Sequence, residues 1–130
     1  MSTLKRDLSI ALLLGGPGAE REVSLVSGNS VYDALARAGA YVAAGADGVM
    51  VVTPWYITPN EEEAYDHYKA IRAELSIPLI LYHNPYLTGC WLSEKIMAKL
   101  YNDGIIDAIK DSAHDIYRHQ NMRALCKDDG

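Results

Sequence analysis

Four short apolar segments, each ending in turn-forming residues, constrain the fold of this 130-residue chain more than any other feature. The segments are Ser9–Leu14, Gly48–Thr53, Ile77–Tyr82 and Ile105–Ile109. They are rich in Ile, Val and Leu along their length, as is typical of strands buried on both faces of a parallel sheet. The sequence therefore predicts four parallel strands, each followed by a helix.

The segments between these strands have helical periodicity. Glu61–Leu75 repeats apolar or aromatic residues at helical spacing, and Ser93–Tyr101 begins with a serine suited to capping a helix. A last helix is predicted to start at His114 or Asp115 and to end near Leu125. These patterns complete three of the four strand–helix units.

The first helix is predicted over about 19–44, and it is unusual. It contains Gly28 and Gly39, each of which costs about 1 kcal/mol relative to alanine inside a helix. A break or kink at one of these glycines is therefore expected.

The fold class that follows is α/β, with four βα units in one domain spanning residues 1–130. Two architectures satisfy this order. One is a (β/α)4 half-barrel with its strands in sequential order, and the other is a small doubly wound sandwich of the flavodoxin or Rossmann type. The pattern of segments does not separate them.

Composition excludes several classes of function. A net charge of −5 argues against nucleic-acid binding and against an anionic membrane surface. No apolar run approaches the ~20 residues of a membrane span, and the charged start is unlike a signal peptide, so a cytoplasmic location is expected. The spacing of Cys90, Cys126 and the histidines matches no metal motif, and His83 is interpreted as a surface or loop residue. We predict no metal and no cofactor.

Three motifs carry a family resemblance over residues 43–130. They are AGADGVMVVTPWY at Ala44–Tyr56, IPLILYHNPYLTG at Ile77–Gly89 and IIDAIKDSAHD at Ile105–Asp115. In this order and spacing they resemble the family of dihydrodipicolinate synthase and N-acetylneuraminate lyase, which are class I aldolase barrels. The resemblance implies that they are strands four, five and six of an eight-stranded barrel.

The resemblance also implies a site. Lys110 takes the role of the amine that forms an imine with pyruvate or a related 2-keto acid, which requires a neutral amine near pH 7. Tyr82 takes the role of a proton relay, because a phenol can both donate and accept. Tyr56 matches a tyrosine that some members lend across a subunit interface. Thr53 is a candidate substrate contact, although a structural threonine is the simpler interpretation, as is an exposed strand-end lysine for Lys110.

Two features depart from the family pattern. The Gly-Thr-Thr-Gly-Glu loop that binds the substrate carboxylate is absent, and Leu87 stands where many members have an arginine. Gly15–Gly18 offers a substitute, because backbone N–H groups of Gly16 and Gly18 at a helix start would attract an anion. A tight strand-to-helix turn is the alternative interpretation of these glycines.

The first third of the chain resembles a different family. Residues 8–42 contain AEREVS followed by SG and are similar to the N-terminal unit of D-alanine–D-alanine ligases. Two resemblances joined within residues 40–44 favour an engineered or computed chimeric scaffold with no complete active site, with a truncated natural gene as the alternative.

Two further hypotheses compete with the scaffold. One is a residual class I lyase that works through Lys110, either as a carbon–carbon lyase or as a hydro-lyase. The other is a homodimer that pairs the exposed strand edges of two half-barrels.

Overall fold

A computed structural model of the chain describes residues 10–13, 39–40, 42–55 and 58–127. Within them, four strands form one parallel sheet in the order β1-β2-β3-β4. The strands are β1 (Ile10–Leu13), β2 (Gly48–Val52), β3 (Leu79–His83) and β4 (Ala108–Asp111).

Helices connect the later strands. They are α1 (Glu61–Glu74), the short α2 (Pro85–Thr88), α3 (Glu94–Asn102) and α4 (Ile116–Leu125). Helix α3 packs against both α1 and α4, so these three helices form one layer on one side of the sheet. Sequential strand order with the described helices in one layer is the arrangement of a half-barrel, because a doubly wound sheet has helices on both faces. The half-barrel alternative is confirmed.

Helix α1 forms where the sequence places its cap and its apolar stripe. The Asn60 side chain accepts from the Glu63 N–H at 2.9 Å, and the Glu63 carboxylate accepts from the Asn60 N–H at 2.9 Å, which makes a capping box. One face then buries Ala64, Tyr68 and Ile71 against the sheet. The Tyr68 hydroxyl donates to the Val51 carbonyl at 3.0 Å, so this buried phenol ties α1 to β2.

The predicted starts of the last two helices are confirmed. The Ser93 hydroxyl accepts from the Ile96 N–H at the start of α3, and the Asp115 carboxylate accepts from the Tyr117 N–H at the start of α4. Both side chains satisfy backbone donors that the first helical turn leaves unpaired.

The predicted position of the last strand was wrong. The strand is Ala108–Asp111, not Ile105–Ile109. Ile105 and Ile106 are buried, but they follow Gly104, whose φ of 70° is left-handed, and they fill the core before the strand begins. The apolar run Ile105–Ile109 therefore indicates which residues are buried, and it does not mark where the strand begins and ends.

The core lies between the sheet and the helical layer. Alternate strand residues point into it, so that β2 and β3 each contribute fully or nearly fully buried side chains. These strand residues are Val49, Val51, Leu79 and Leu81, and they pack with Ala64, Tyr68, Ile71, Met97 and Leu100 from the helices.

The opposite face of the sheet is less covered in the described part of the chain. Met50, Ile80 and Tyr82 are half-buried there, and Ala108 and Lys110 are exposed. Strand pairing places Tyr82 and Lys110 side by side at the carboxyl ends of β3 and β4.

Most of the predicted first helix, including Gly28, lies outside the described residues. Gly39 is described and has helical backbone, and the predicted break at one of the two glycines stays a prediction. Among the helices that are described, none has both the length and the apolar character needed to cross a membrane.

His67 on α1 should make folding sensitive to mild acid. Burial lowers its pKa from 6.5 to about 4, so the unfolded chain binds this proton first and stability falls as the pH drops from about 6.5 towards 4. We expect a loss of about 1–2 kcal/mol in unfolding free energy between pH 7.5 and pH 5. Urea unfolding of the wild type and His67→Gln at both pH values tests this, since an equal loss in the variant would contradict the assignment.

Candidate active site

The lysine and the tyrosine singled out by sequence lie together. Tyr82 and Lys110 are directly paired across β3 and β4, and the Lys110 Nζ lies over the Tyr82 ring, 4.0 Å from its centroid. An ammonium at this distance interacts favourably with the face of the ring. The amine and the phenol therefore lie at one rim, the edge of the sheet formed by the carboxyl ends of β3 and β4, and their catalytic roles stay predictions.

The Tyr82 hydroxyl is held by residues that directly follow the two strands. The Asn84 amide donates to it at 3.0 Å, and Asn84 also caps α2 by accepting from the Leu87 N–H. Hydrogen bonds from Asn84 and then from Ser112 lower the pKa of the Tyr82 phenol, partial burial opposes them, and the charge of Lys110 adds to the lowering. A phenol with a lowered pKa gives up its proton more readily, which suits a relay.

Thr53 does not reach this rim. Its side chain is fully buried, and its hydroxyl is 3.0 Å from the Thr88 hydroxyl. The backbone N–H of Thr53 donates to the Tyr82 carbonyl at 3.1 Å, which extends the pairing of β2 with β3. In strand alternation Thr53 shares the helix-facing side with Val51, which favours the structural interpretation, and its predicted substrate contact stays a prediction.

His83 is not a surface residue, and the interpretation from sequence was wrong. Its side chain and that of Asp111 are both fully buried, with the His83 Nδ1 2.8 Å from the Asp111 Oδ1. The Leu92 N–H donates to the His83 Nε2 at 3.1 Å, so Nε2 is the acceptor and Nδ1 carries the proton that goes to Asp111. The pair links β3 to β4 one residue after Tyr82 and Lys110.

Asp111 is the centre of a wider set of contacts. Its Oδ1 also accepts from the Ala113 N–H at 2.9 Å, and its Oδ2 lies 3.7 Å from the Arg118 Nε on α4. Burial works against the charged carboxylate, but the His83 and Ala113 donors and the Arg118 charge outweigh it and keep the pKa of Asp111 below its usual value. Arg118 also donates to the Leu92 carbonyl at 2.6 Å.

The remaining predicted site residues lie elsewhere. Tyr56, Gly16 and Gly18 fall outside the described residues, so the interface tyrosine and the anion site stay predictions. Leu87 is 65 % exposed on α2. Within the described residues, no three His, Cys, Asp or Glu side chains gather where they could hold a metal ion.

Fold and site together define a class of protein. A sequential parallel sheet with its described helices in one layer, and with a lysine and a tyrosine at the carboxyl ends of adjacent strands, is the arrangement of part of an α/β barrel, a fold that has its functional sites at that end. The model of the dihydrodipicolinate synthetase family matches residues 23–130, and the chain belongs to that family.

Similar sequences agree with this assignment. The chain is 35% identical over 115 residues to a 4-hydroxy-tetrahydrodipicolinate synthase of Persephonella marina, covering 85% of this chain and 39% of the relative. It is 38% identical over 100 residues to the enzyme of that name from Nitrosococcus oceani, covering 77% of this chain and 34% of the relative. The chain therefore spans less than two fifths of the length of these relatives.

Solved structures give the same result. A dihydrodipicolinate synthase from Acinetobacter baumannii, complexed with pyruvate, superposes with a TM-score of 0.73 at 32% identity, covering 93% of this chain and 38% of that one. CdNal from Clostridium difficile, in complex with mannosamine, superposes with a TM-score of 0.68 at 30% identity, covering 72% of this chain and 32% of that one.

The family match bears on the interpretation of the first third of the chain. It begins at residue 23, inside the segment that resembles a D-alanine–D-alanine ligase. Neither the ligase unit nor the chimera finds support in these matches.

Proposed function

We propose that this chain carries the imine-forming part of a class I lyase site, which takes pyruvate or a related 2-keto acid on Lys110. The observation that supports it most is the Lys110 amine over the Tyr82 ring at 4.0 Å, in a chain of the dihydrodipicolinate synthetase family. The pyruvate complex of the similar Acinetobacter baumannii synthase suits the same substrate class.

The chemistry needs one nucleophile and one proton carrier. The neutral Lys110 nitrogen attacks the keto carbon, the carbonyl oxygen takes up one proton and the nitrogen gives up one, and the product is a neutral carbinolamine. The hydroxyl then takes up a second proton and leaves as water, while the nitrogen loses its remaining proton and the C=N bond of the imine forms. We assign the transfer of these protons to Tyr82, and the Asn84 hydrogen bond to its hydroxyl and its lowered pKa support this role.

Borohydride trapping tests the proposal. Incubation with pyruvate and borohydride should reduce the imine and leave a stable secondary amine on Lys110, found by peptide mass spectrometry. Lys110→Arg should gain no adduct at that position. An adduct on exposed lysines such as Lys69 and Lys95 to the same extent as on Lys110 would show only general surface reactivity and would exclude the proposal.

A folded scaffold without turnover is the second candidate. Its supporting observation is Leu87, which is exposed beyond β3 where the family resemblance expects an arginine for the substrate carboxylate. A wild-type chain that unfolds cooperatively but gives no adduct at Lys110 would favour the scaffold over the lyase.

We also propose that the exposed edge of β4 pairs with a partner. Beside β4 lies a groove of about 460 Å³ lined by Ala108, Ile109, Tyr101, His119 and Met122, among others. Strand edges are templates for pairing, so a second copy of the chain is the proposed occupant of this edge. Sedimentation at increasing concentration should show a dimer, and a monomer throughout would exclude it.

A further inference from the structure

We propose, on the basis of the function proposed above, that the buried His83–Asp111 pair positions the phenol of Tyr82 over which Lys110 lies. Neither side chain can touch a substrate, because both are fully buried on the helix-facing side of the sheet. The pair therefore acts through its neighbours, as a positioning device and not as catalytic residues.

The strand geometry makes the connection. Side chains alternate along a strand, so His83 and Asp111 point away from the rim while Tyr82 and Lys110 point towards it. The hydrogen bond of 2.8 Å between the His83 Nδ1 and the Asp111 Oδ1 joins β3 to β4 immediately after the reacting pair. This hydrogen bond fixes the register of β3 against β4, and it therefore fixes the position of the Lys110 amine relative to the Tyr82 ring.

The residues that hold the phenol directly follow the buried pair. Asn84, which donates to the Tyr82 hydroxyl at 3.0 Å, is the residue after His83. Ser112, which acts with Asn84 to lower the pKa of that phenol, is the residue after Asp111. The Ser112 N–H donates to the His83 carbonyl at 2.8 Å. Any shift of His83 against Asp111 therefore moves both residues relative to the Tyr82 oxygen.

The pair is also anchored from outside the sheet. The Leu92 N–H donates to the His83 Nε2, Arg118 donates to the Leu92 carbonyl, and the Arg118 Nε lies 3.7 Å from the Asp111 Oδ2. The Trp91 ring meets the His83 ring edge-on at 6.3 Å. Well-packed apolar residues in place of a buried ion pair often give equal or higher folding stability. The buried polar contacts of His83, Asp111 and Arg118 are therefore better explained by the geometry that they fix than by the stability that they add.

Two substitutions at His83 separate positioning from simple packing. His83→Leu fills the space but removes both hydrogen bonds, whereas His83→Gln keeps a donor for Asp111 and an acceptor for Leu92. In His83→Leu we expect the pKa of the Tyr82 phenol to rise towards its ordinary value. This pKa is followed by NMR of ¹³C-labelled tyrosine, and the Tyr82 signal is assigned by comparison with Tyr82→Phe. We also expect trapping at Lys110 to slow roughly tenfold or more. His83→Gln should keep both close to wild type.

A control and a second variant complete the test. Ile71→Val lowers stability from the buried face of α1 without touching the pair, and it should leave the phenol pKa and the trapping rate unchanged. If His83→Leu does not fold, Asp111→Asn, which keeps the shape but weakens both hydrogen bonds to Oδ1, should shift the phenol the same way by less.

The outcomes are distinct. A folded His83→Leu or Asp111→Asn chain with an unchanged Tyr82 pKa overturns the positioning role, and so does a His83→Gln chain as impaired as His83→Leu. A wild-type chain that never forms the adduct removes the proposed function, and the phenol titration then decides the positioning role by itself.

Discussion

Replacing Tyr82 by phenylalanine is expected to slow the trapping of pyruvate on Lys110 by roughly 100-fold, the lower range for loss of a general acid–base group. The phenylalanine keeps the ring beneath the Lys110 Nζ, so the cation–ring contact at 4.0 Å survives. What is lost is the hydroxyl that gives and takes protons as the carbinolamine becomes the imine. The rate of adduct formation under excess pyruvate and borohydride measures this directly.

The matched control is Tyr117→Phe. Tyr117 is 73 % exposed at the start of α4, where its backbone N–H and not its hydroxyl takes part in the cap. We expect its trapping rate to stay within about twofold of wild type. Equal rates in Tyr82→Phe and in wild type would show that the phenol takes no part in imine formation.

Replacing Asp111 by alanine is expected to destabilise the fold by about 3 kcal/mol or more. The substitution leaves the buried His83 Nδ1–H and the Ala113 N–H without their acceptor. It also removes the anion nearest the Arg118 Nε, whose own side chain is 17% exposed. Urea unfolding at pH 7 gives the difference, and Asp66→Ala, at an exposed position on α1, should change stability by less than about 0.5 kcal/mol.

The acid dependence of this difference has a definite sign. The folded chain lowers the pKa of Asp111, so its carboxylate stabilises the fold above its unfolded pKa of about 3.9 and the contribution is lost as the pH falls below that value. The difference in unfolding free energy between wild type and Asp111→Ala should therefore stay constant from pH 7 to about pH 5 and become smaller below pH 4. A small difference at pH 7 would contradict the stabilising role given to the Asp111 carboxylate.

The rim that joins Lys110 and Tyr82 could be predicted because it depends only on strand direction. Consecutive parallel strands end at the same edge of a sheet, so residues that close two neighbouring apolar runs meet there. The sequential strand order could not be predicted in this way. It is set by which faces the helices cover, and short, nearly continuous apolar runs are compatible with both arrangements.

The buried His83–Asp111 pair was missed for a related reason. A histidine at the end of a strand, followed by Asn84 and Pro85, has the composition of a turn. The alternation of side chains along the strand could have indicated that His83 is buried, because Leu79, Leu81 and His83 share one side of β3 and the first two are plainly core residues. The misplaced fourth strand hid the matching position of Asp111, because a strand ending at Ile109 leaves Asp111 in a loop.

The most direct test of the central claim is a distance measurement between Lys110 and Tyr82 in solution. With Tyr82 assigned by comparison with Tyr82→Phe, nuclear Overhauser contacts are expected between the Lys110 ε-methylene and the Tyr82 ring protons, as the Nζ-to-centroid distance of 4.0 Å requires. Upfield-shifted ε-methylene protons, which return to ordinary values when the ring is removed by Tyr82→Leu, complete the expected result. A Lys110 side chain with no contact to that ring and with the chemical shifts of a solvated lysine would contradict the shared rim.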